Sequence, residues 1–196
     1  MNVCVHTTST YFLLRSKTIL SMFSLESNRL RLIPLNTSQL QLHASNYEAL
    51  QLSLGLTPRL MLMEEYFQNE FDDALANYWL PETAANSVNF QWFTNWLIVH
   101  KAHNCVVGGI GVAGLPNDQG ETEIGYGIDQ AYRNQGIASE ALARLSEWVF
   151  RHPATKGLIA YTPADLVHSQ KVLQKTGFVS VEEKEGLILW RKLKPN

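Results

Sequence analysis

The stretch from Glu123 to Val149 constrains this chain most. Glu123-Ile124-Gly125-Tyr126-Gly127-Ile128 alternates with period two. Ala138, Ala141, Leu142, Leu145, Trp148 and Val149 then recur at helical spacing. Between them lies Asp129-Gln130-Ala131-Tyr132-Arg133-Asn134-Gln135-Gly136. A strand therefore runs into a turn, and the turn opens a helix. Gly136 has no Cβ, so a ligand can approach the backbone there. The first N–H groups of a helix lack intrahelical partners and stand at its positive end, which suits an anion such as a pyrophosphate. The plainer alternative is an ordinary junction that binds nothing.

The flanking segments fill in a sheet. Leu30-Arg31-Leu32-Ile33-Pro34-Leu35 reads as a first strand. Asn36-Thr37-Ser38 offers helix caps, and Ser45-Asn46-Tyr47-Glu48 fits a capping box, with Gly55 as a stop. A second helical pattern spans about Leu60 to Trp79 and ends at Pro81. Its acidic residues, Glu64, Glu65, Asp72 and Asp73, read as a solvated face. Trp92–His100 and Val106–Ala113 form a hairpin, and Glu121–Ile128 completes a meander. The helix from about Gly136 to Arg151 precedes an apolar strand, Gly157–Thr162, and a helix, Val167–Lys175. Phe178–Val181 and Leu187–Trp190 are the last strands. This order predicts an α/β (α+β) fold: one mixed, mostly antiparallel twisted sheet flanked by helices.

Gly109-Ile110-Gly111-Val112-Ala113-Gly114 matches the G-x-G-x-x-G pattern, but the turn Leu115-Pro116-Asn117-Asp118 follows where a dinucleotide site needs a helix. A dinucleotide-dependent enzyme is therefore set aside, and the glycines are expected to serve a bulge or close packing. The 196 residues, 45% hydrophobic and 17% charged, favour one globular domain over residues 23–196. A net charge of -2 without a basic run argues against a nucleic-acid partner. The longest apolar run, Cys105–Leu115, is too short to span a membrane. Cys4 and Cys105 make no disulfide framework, so a reducing cytoplasm is expected, with a monomer or homodimer as the assembly. The histidines show no metal spacing. Residues 1–22 lack acidic residues and are rich in Ser and Thr, and they read as an N-terminal extension; a transit peptide is the alternative to the expectation that Met22 is the natural start and residues 1–21 an upstream extension of the reading frame.

Arg133-Asn134-Gln135-Gly136-Ile137-Ala138 matches Q/R-x-x-G-x-G/A, and on it the chain resembles the GNAT superfamily of N-acetyltransferases. Glu123–Ile128 and Ser169-Gln170-Lys171-Val172-Leu173-Gln174-Lys175-Thr176-Gly177-Phe178 are similar to elements of its branch of ribosomal-protein N-terminal acetyltransferases, the RimJ/RimL-like proteins. The resemblance implies a V-shaped split between the fourth and fifth strands, with acetyl-CoA as co-substrate and an amine acceptor as partner. It implies that the backbone of Arg133, Asn134, Gln135, Gly136, Ile137 and Ala138 holds the pyrophosphate, with a hydroxyl contact from Ser139. The pantetheine arm would lie along the backbone near Tyr126 and Ile128. No metal is implied.

Direct attack of an amine on a thioester needs a neutral amine, donors for the oxyanion, and a proton or dipole for the leaving thiolate. Glu123 is the candidate base, acting through a water; a surface carboxylate is the alternative. Ser169 is the candidate acid or sulfur contact; a helix-start Ser capping a backbone N–H is its alternative. Leu173 occupies the position where many members carry a Tyr, and Leu166 stands where the branch usually has Asn. Asn134 replaces a common Gly but tolerates the left-handed region. Tyr126 and Tyr161 read more simply as core packing, while Trp79, Trp92, Trp96 and Trp148 read as core or acceptor-pocket wall. The expected function is transfer of acetyl from acetyl-CoA to a primary amine, on a protein N-terminus or a small molecule. A non-catalytic acyl-CoA-binding or sensing protein on the same fold is the alternative.

Overall fold

The structure is a computed structural model and describes residues 23–195, so the N-terminal extension and Cys4 lie outside the described residues. Eight strands form one sheet in the order β1-β2-β3-β4-β5-β6-β8-β7. They are β1 (Leu25–Glu26), β2 (Leu30–Pro34), β3 (Asn95–His100), β4 (Cys105–Val112), β5 (Glu121–Ile128), β6 (Gly157–Pro163), β7 (Val179–Lys184) and β8 (Leu187–Leu193). Every neighbouring pair is antiparallel except β5 with β6.

The period-two pattern of β3 divides its side chains between two cores. Trp96 and Ile98 point into one, with Val107, Ile110 and Ile124. Leu97 and Val99 point into the other, with Ile33 and Val106. Helices cover both faces. α5 (Ile137–Val149) lays Ile137, Ala141, Leu142, Leu145 and Val149 on the first core, and α6 (Val167–Lys175) adds Leu173. α1 (Thr37–Ser45) and α2 (Tyr47–Ser53) place Leu40 and Leu50 on the second. Trp92, Trp96 and Trp148 are core: the Trp148 ring lies 4.6 Å from Trp92 and 5.0 Å from Trp96.

Several local expectations change. Asn36 caps α1 in a full capping box, but Asn46 rather than Ser45 caps α2, accepting from the Ala49 N–H. The helix expected from Leu60 starts later, as α3 (Glu65–Ala74). Nor does Pro81 end it. A π-helical turn, Leu75–Trp79, leads into α4 (Leu80–Ala85), where Pro81 sits in the first turn and its missing N–H costs nothing. Trp92 belongs to a short 3₁₀ turn, so β3 begins at Asn95. The glycines of β4 do serve close packing: a Cβ on Gly111 would stand 2.6 Å from the Thr94 carbonyl oxygen. A bulge lies opposite them, between Ile98 and Val99.

Candidate functional site

The parallel pair is short. Glu121, Thr122 and Glu123 pair with Gly157, Leu158 and Ile159, and there the register ends. Beyond it β5 keeps only β4 and β6 keeps only β8, so the sheet splits into a V at the carboxyl ends of both strands. This is the split expected between the fourth and fifth strands; β1, a two-residue strand, raises their numbers by one. A crevice at strand carboxyl ends is where open α/β sheets take ligands.

The turn after β5 is built as its residues dictate. Asn134 has φ 60 and Gly136 has φ 74, both left-handed. The N–H groups of Asn134 through Ser139 find no partner among the described residues, as the start of α5 requires. Arg29 braces the turn from outside. Its Nη1 donates to the Gln135 carbonyl at 3.0 Å, and its Nε donates to Glu140 at 2.7 Å. Arg29 N–H and the Ser27 hydroxyl also donate to that carboxylate, at 2.9 and 2.7 Å, and Glu140 sits below the usual carboxylate range.

A strap before α3 closes the other side. Asp129, fully buried, accepts from Arg59 Nη2 at 2.8 Å, from Leu62 N–H at 3.3 Å and from Ala131 N–H at 2.8 Å. Gln130 N–H donates to the Leu62 carbonyl at 2.9 Å. These bonds set Met63, Glu64 and Phe67 beside the split. Glu64 makes a two-pronged pair with Arg133, whose guanidinium draws its carboxyl down to about 2. Glu64, which precedes the first turn of α3 and keeps a solvent-open side chain, is ion-paired as well as solvated, which adds to the sequence reading.

Two cavities meet at the split. The larger, of about 720 Å³, is lined by Tyr126, Ile128, Arg133, Asn134, Gly136, Ile137, Ala138 and Ser139 on one wall. Leu166, His168, Ser169, Lys171 and Lys175 line the opposite wall. The smaller, of about 300 Å³, is lined by Glu123, Gly125, Asn95, Gly109 and Gly111, with Glu70, Phe71, Tyr78 and Trp79 above them. Met63, Phe67, Tyr126 and Gly127 border both. The charge differs. The larger cavity is edged by Lys171, Lys175 and Arg133, the last paired with Glu64, whereas Glu70 and Glu123 are the charged residues of the smaller.

All the expected site residues except Gln135, whose carbonyl Arg29 holds, line one of these cavities. Glu123 opens into the smaller one, and the surrounding protein strips enough water to raise its carboxyl above the ordinary range. Ser169 does not cap its helix. Its Oγ lies 2.9 Å from the Tyr126 hydroxyl, which also donates to the Ser169 carbonyl at 3.2 Å. Burial pushes the Tyr126 phenol up to about 12, with the Ser169 bond working against it. Tyr126 packs its ring on the core but brings its hydroxyl to the junction of the cavities, which core packing alone did not foresee. Tyr161, 49% exposed, is not a core residue. Leu166 brings no polar group to the larger cavity, and Leu173 is fully buried. Of the tryptophans, Trp79 is the cavity wall. Its π-helical turn has a single strong sequence cue, Pro81, which alone predicts a stop instead.

The sequence reading missed Arg29, Arg59, Glu64, Tyr78 and Asn95. Only Asn95 left a local sign, as a polar residue heading the strand whose own face continues with Leu97 and Val99. Among the described residues no group of three or more His, Cys, Asp or Glu stands where it could hold a metal. No helix there is long and apolar enough to cross a membrane.

Residues 29–179 match the acetyltransferase (GNAT) domain model. The chain is 28% identical over 158 residues to the uncharacterized N-acetyltransferase YjdG of Bacillus subtilis, covering 81% of this chain and 90% of that one. Among solved structures it superposes on a ribosomal-protein-S5-alanine acetyltransferase from Vibrio fischeri with a TM-score of 0.60 and 19% identity, covering 88% of this chain and 97% of that one. A RimL ribosomal α-N-protein acetyltransferase in complex with coenzyme A gives a TM-score of 0.58 at 18% identity, over 87% and 98% of the two chains.

Proposed function

The chain belongs to the acetyltransferase (GNAT) domain family, and on that premise we propose that it transfers the acetyl group of acetyl-CoA to a primary amine by direct attack. The observation that carries the reading is the pair of cavities of opposite charge meeting at Tyr126 and Gly127. The larger takes the anionic donor. Its pyrophosphate lies on the N–H groups of Asn134–Ser139, where the α5 dipole favours negative charge. Lys171 and Lys175 supply positive charge across the cleft. The pantetheine arm takes the strand edge that β6 leaves unpaired beyond Glu123.

The smaller cavity takes the amine. Glu123 attracts the ammonium group and accepts its proton through a water. At pH 7.4, deprotonating a lysine of pKa about 10.4 costs roughly 4 kcal/mol, and an α-amine near 7.8 under about 1 kcal/mol. A base as weak as Glu123 therefore suits an α-amine, as the RimJ/RimL-like branch would use, or a small amine of similar basicity. Tyr126 and Ser169 face the leaving sulfur. A phenol near 12 cannot hand its whole proton to a thiolate of pKa about 8.5 without a large cost, so the pair acts by hydrogen-bond donation.

The test is acetyl-CoA turnover against a panel of peptide N-termini, polyamines and aminoglycosides. Turnover on at least one class supports the reading. Tight acetyl-CoA binding with no turnover on any amine would instead favour an acyl-CoA-binding protein, for which Leu166 and Leu173 are the motive.

A further inference from the structure

The smaller cavity holds a polar group the chemistry above does not use. Asn95 is 3% exposed, and its Nδ2 is buried without a hydrogen-bond partner among the described residues. Native proteins rarely leave a buried amide unpaired, because the lost hydration is not repaid.

The sheet around Asn95 is bare. Asn95 pairs with Gly111 on β4, and Gly111 pairs with Gly125 on β5. In the parallel row, Gly109 pairs with Gly127. A Cβ at Gly125 would meet nothing within 4 Å, and one at Gly127 would meet only Met63 Cε at 3.8 Å. A Cβ at Gly109 would stand 2.6 Å from Asn95 Oδ1, so this glycine keeps the space that the amide occupies. The floor of the cavity is therefore backbone, with the Asn95 amide at one end and the Glu123 carboxylate toward the other. Two strand spacings, roughly 10 Å, separate Asn95 from Gly125. An extended peptide covers that span in about three residues.

We propose that Asn95 is an acceptor-positioning residue, an inference that rests on the acetyltransferase reading of the same site. Its amide hydrogen-bonds a polar group of an elongated primary amine whose nitrogen lies by Glu123 and Gly125. The acceptor class is an amine carrying amide groups along its length, as a peptide N-terminus does, in preference to a plain alkylamine. Glycine at 125 and 127 lets such a chain lie flat against the sheet, while Gly109 leaves room for the Asn95 amide.

The experiment compares wild type, Asn95→Leu and Asn95→Ser with two acceptor sets: short N-terminal peptide amides, and n-alkylamines of matched length. Acetyl-CoA affinity is measured by calorimetry on each variant. Asn95→Leu is expected to raise KM for the peptides roughly tenfold, the loss of about one hydrogen bond. KM for the alkylamines and Kd for acetyl-CoA stay within about twofold, and Asn95→Ser recovers part of the peptide KM. An equal rise for both acceptor sets, or no rise for either, overturns the proposal, as does wild-type turnover of alkylamines but not peptides. Wild-type protein that binds acetyl-CoA and acetylates no amine overturns the acetyltransferase reading itself, and this inference with it.

Discussion

The Tyr126 hydroxyl and the Ser169 Oγ stand 2.9 Å apart, joining β5 to α6 across the mouth of the split. Tyr126 borders both cavities and Ser169 lines the larger one. If this pair supports the leaving thiolate, Tyr126→Phe and Ser169→Ala each lower kcat by roughly 10–100-fold, with acetyl-CoA Kd nearly unchanged. Because the two act as one unit, the double variant loses little more than either single one. Steady-state kinetics on the three variants checks this; fully multiplicative losses would show that the two act separately.

Glu123 carries a pH signature. Its carboxyl is raised by loss of hydration, and in the proposed mechanism the ionised form is the one that accepts the amine proton. The rate therefore falls as pH drops through a pKa above the ordinary value of about 4.3. Glu123→Gln is expected to lower kcat/KM tenfold or more and to remove that acid limb. A Gln variant of unchanged rate would take Glu123 out of the mechanism.

The strap over the cleft depends on a buried charge. Arg59 Nη2 is 2.8 Å from Asp129, which has no solvent exposure. Arg59→Met leaves that carboxylate with only backbone donors, and is expected to cost about 3 kcal/mol in urea unfolding. It also loosens Met63 and Glu64, so the variant should bind acetyl-CoA more weakly.

His43 predicts a stability change in mild acid. Its ring packs 4.6 Å from Tyr47 and 5.2 Å from Phe71, and its Nε2 is buried without a partner. Burial lowers its pKa from 6.5 to about 4, against the pull of Asp72. Between those values the unfolded chain binds the extra proton, so stability is full above pH 6.5 and falls as pH drops toward 4. The full shift is worth roughly 3 kcal/mol. His43→Phe should flatten the slope of unfolding free energy over that window. Glu64 and Glu140, both depressed, add stability that is fully present at neutral pH and is lost as pH falls below the unfolded carboxylate value of 4.5, so their slope sets in at the acid end of the His43 window.

What was legible in the sequence was local. Period two gave β3, β4 and β5, and Asn134 with Gly136 marked the left-handed turn before α5. What escaped depends on partners far away in the chain. Glu64 finds Arg133, and Arg29 finds Glu140, only after the sheet has formed. β1 was missed because two residues, Leu25 and Glu26, carry no period. Pro81 misled because proline reads as a stop from either side, yet the π-helical turn before it makes its position a helix start. The glycines of β4 and β5 were read separately; their register makes them one floor.

In the proposed complex the start of α5 holds the pyrophosphate of acetyl-CoA. Calorimetric titration of wild type and Ser139→Glu with acetyl-CoA tests it most directly. Glu in the first helical turn is compatible with the helix dipole, so the fold and its melting temperature persist. The added carboxylate stands in the larger cavity, where it would repel the phosphates. Saturable binding to wild type with loss of at least about tenfold in Ser139→Glu is the predicted result. Equal affinity in the two proteins, or no binding to wild type, would contradict it.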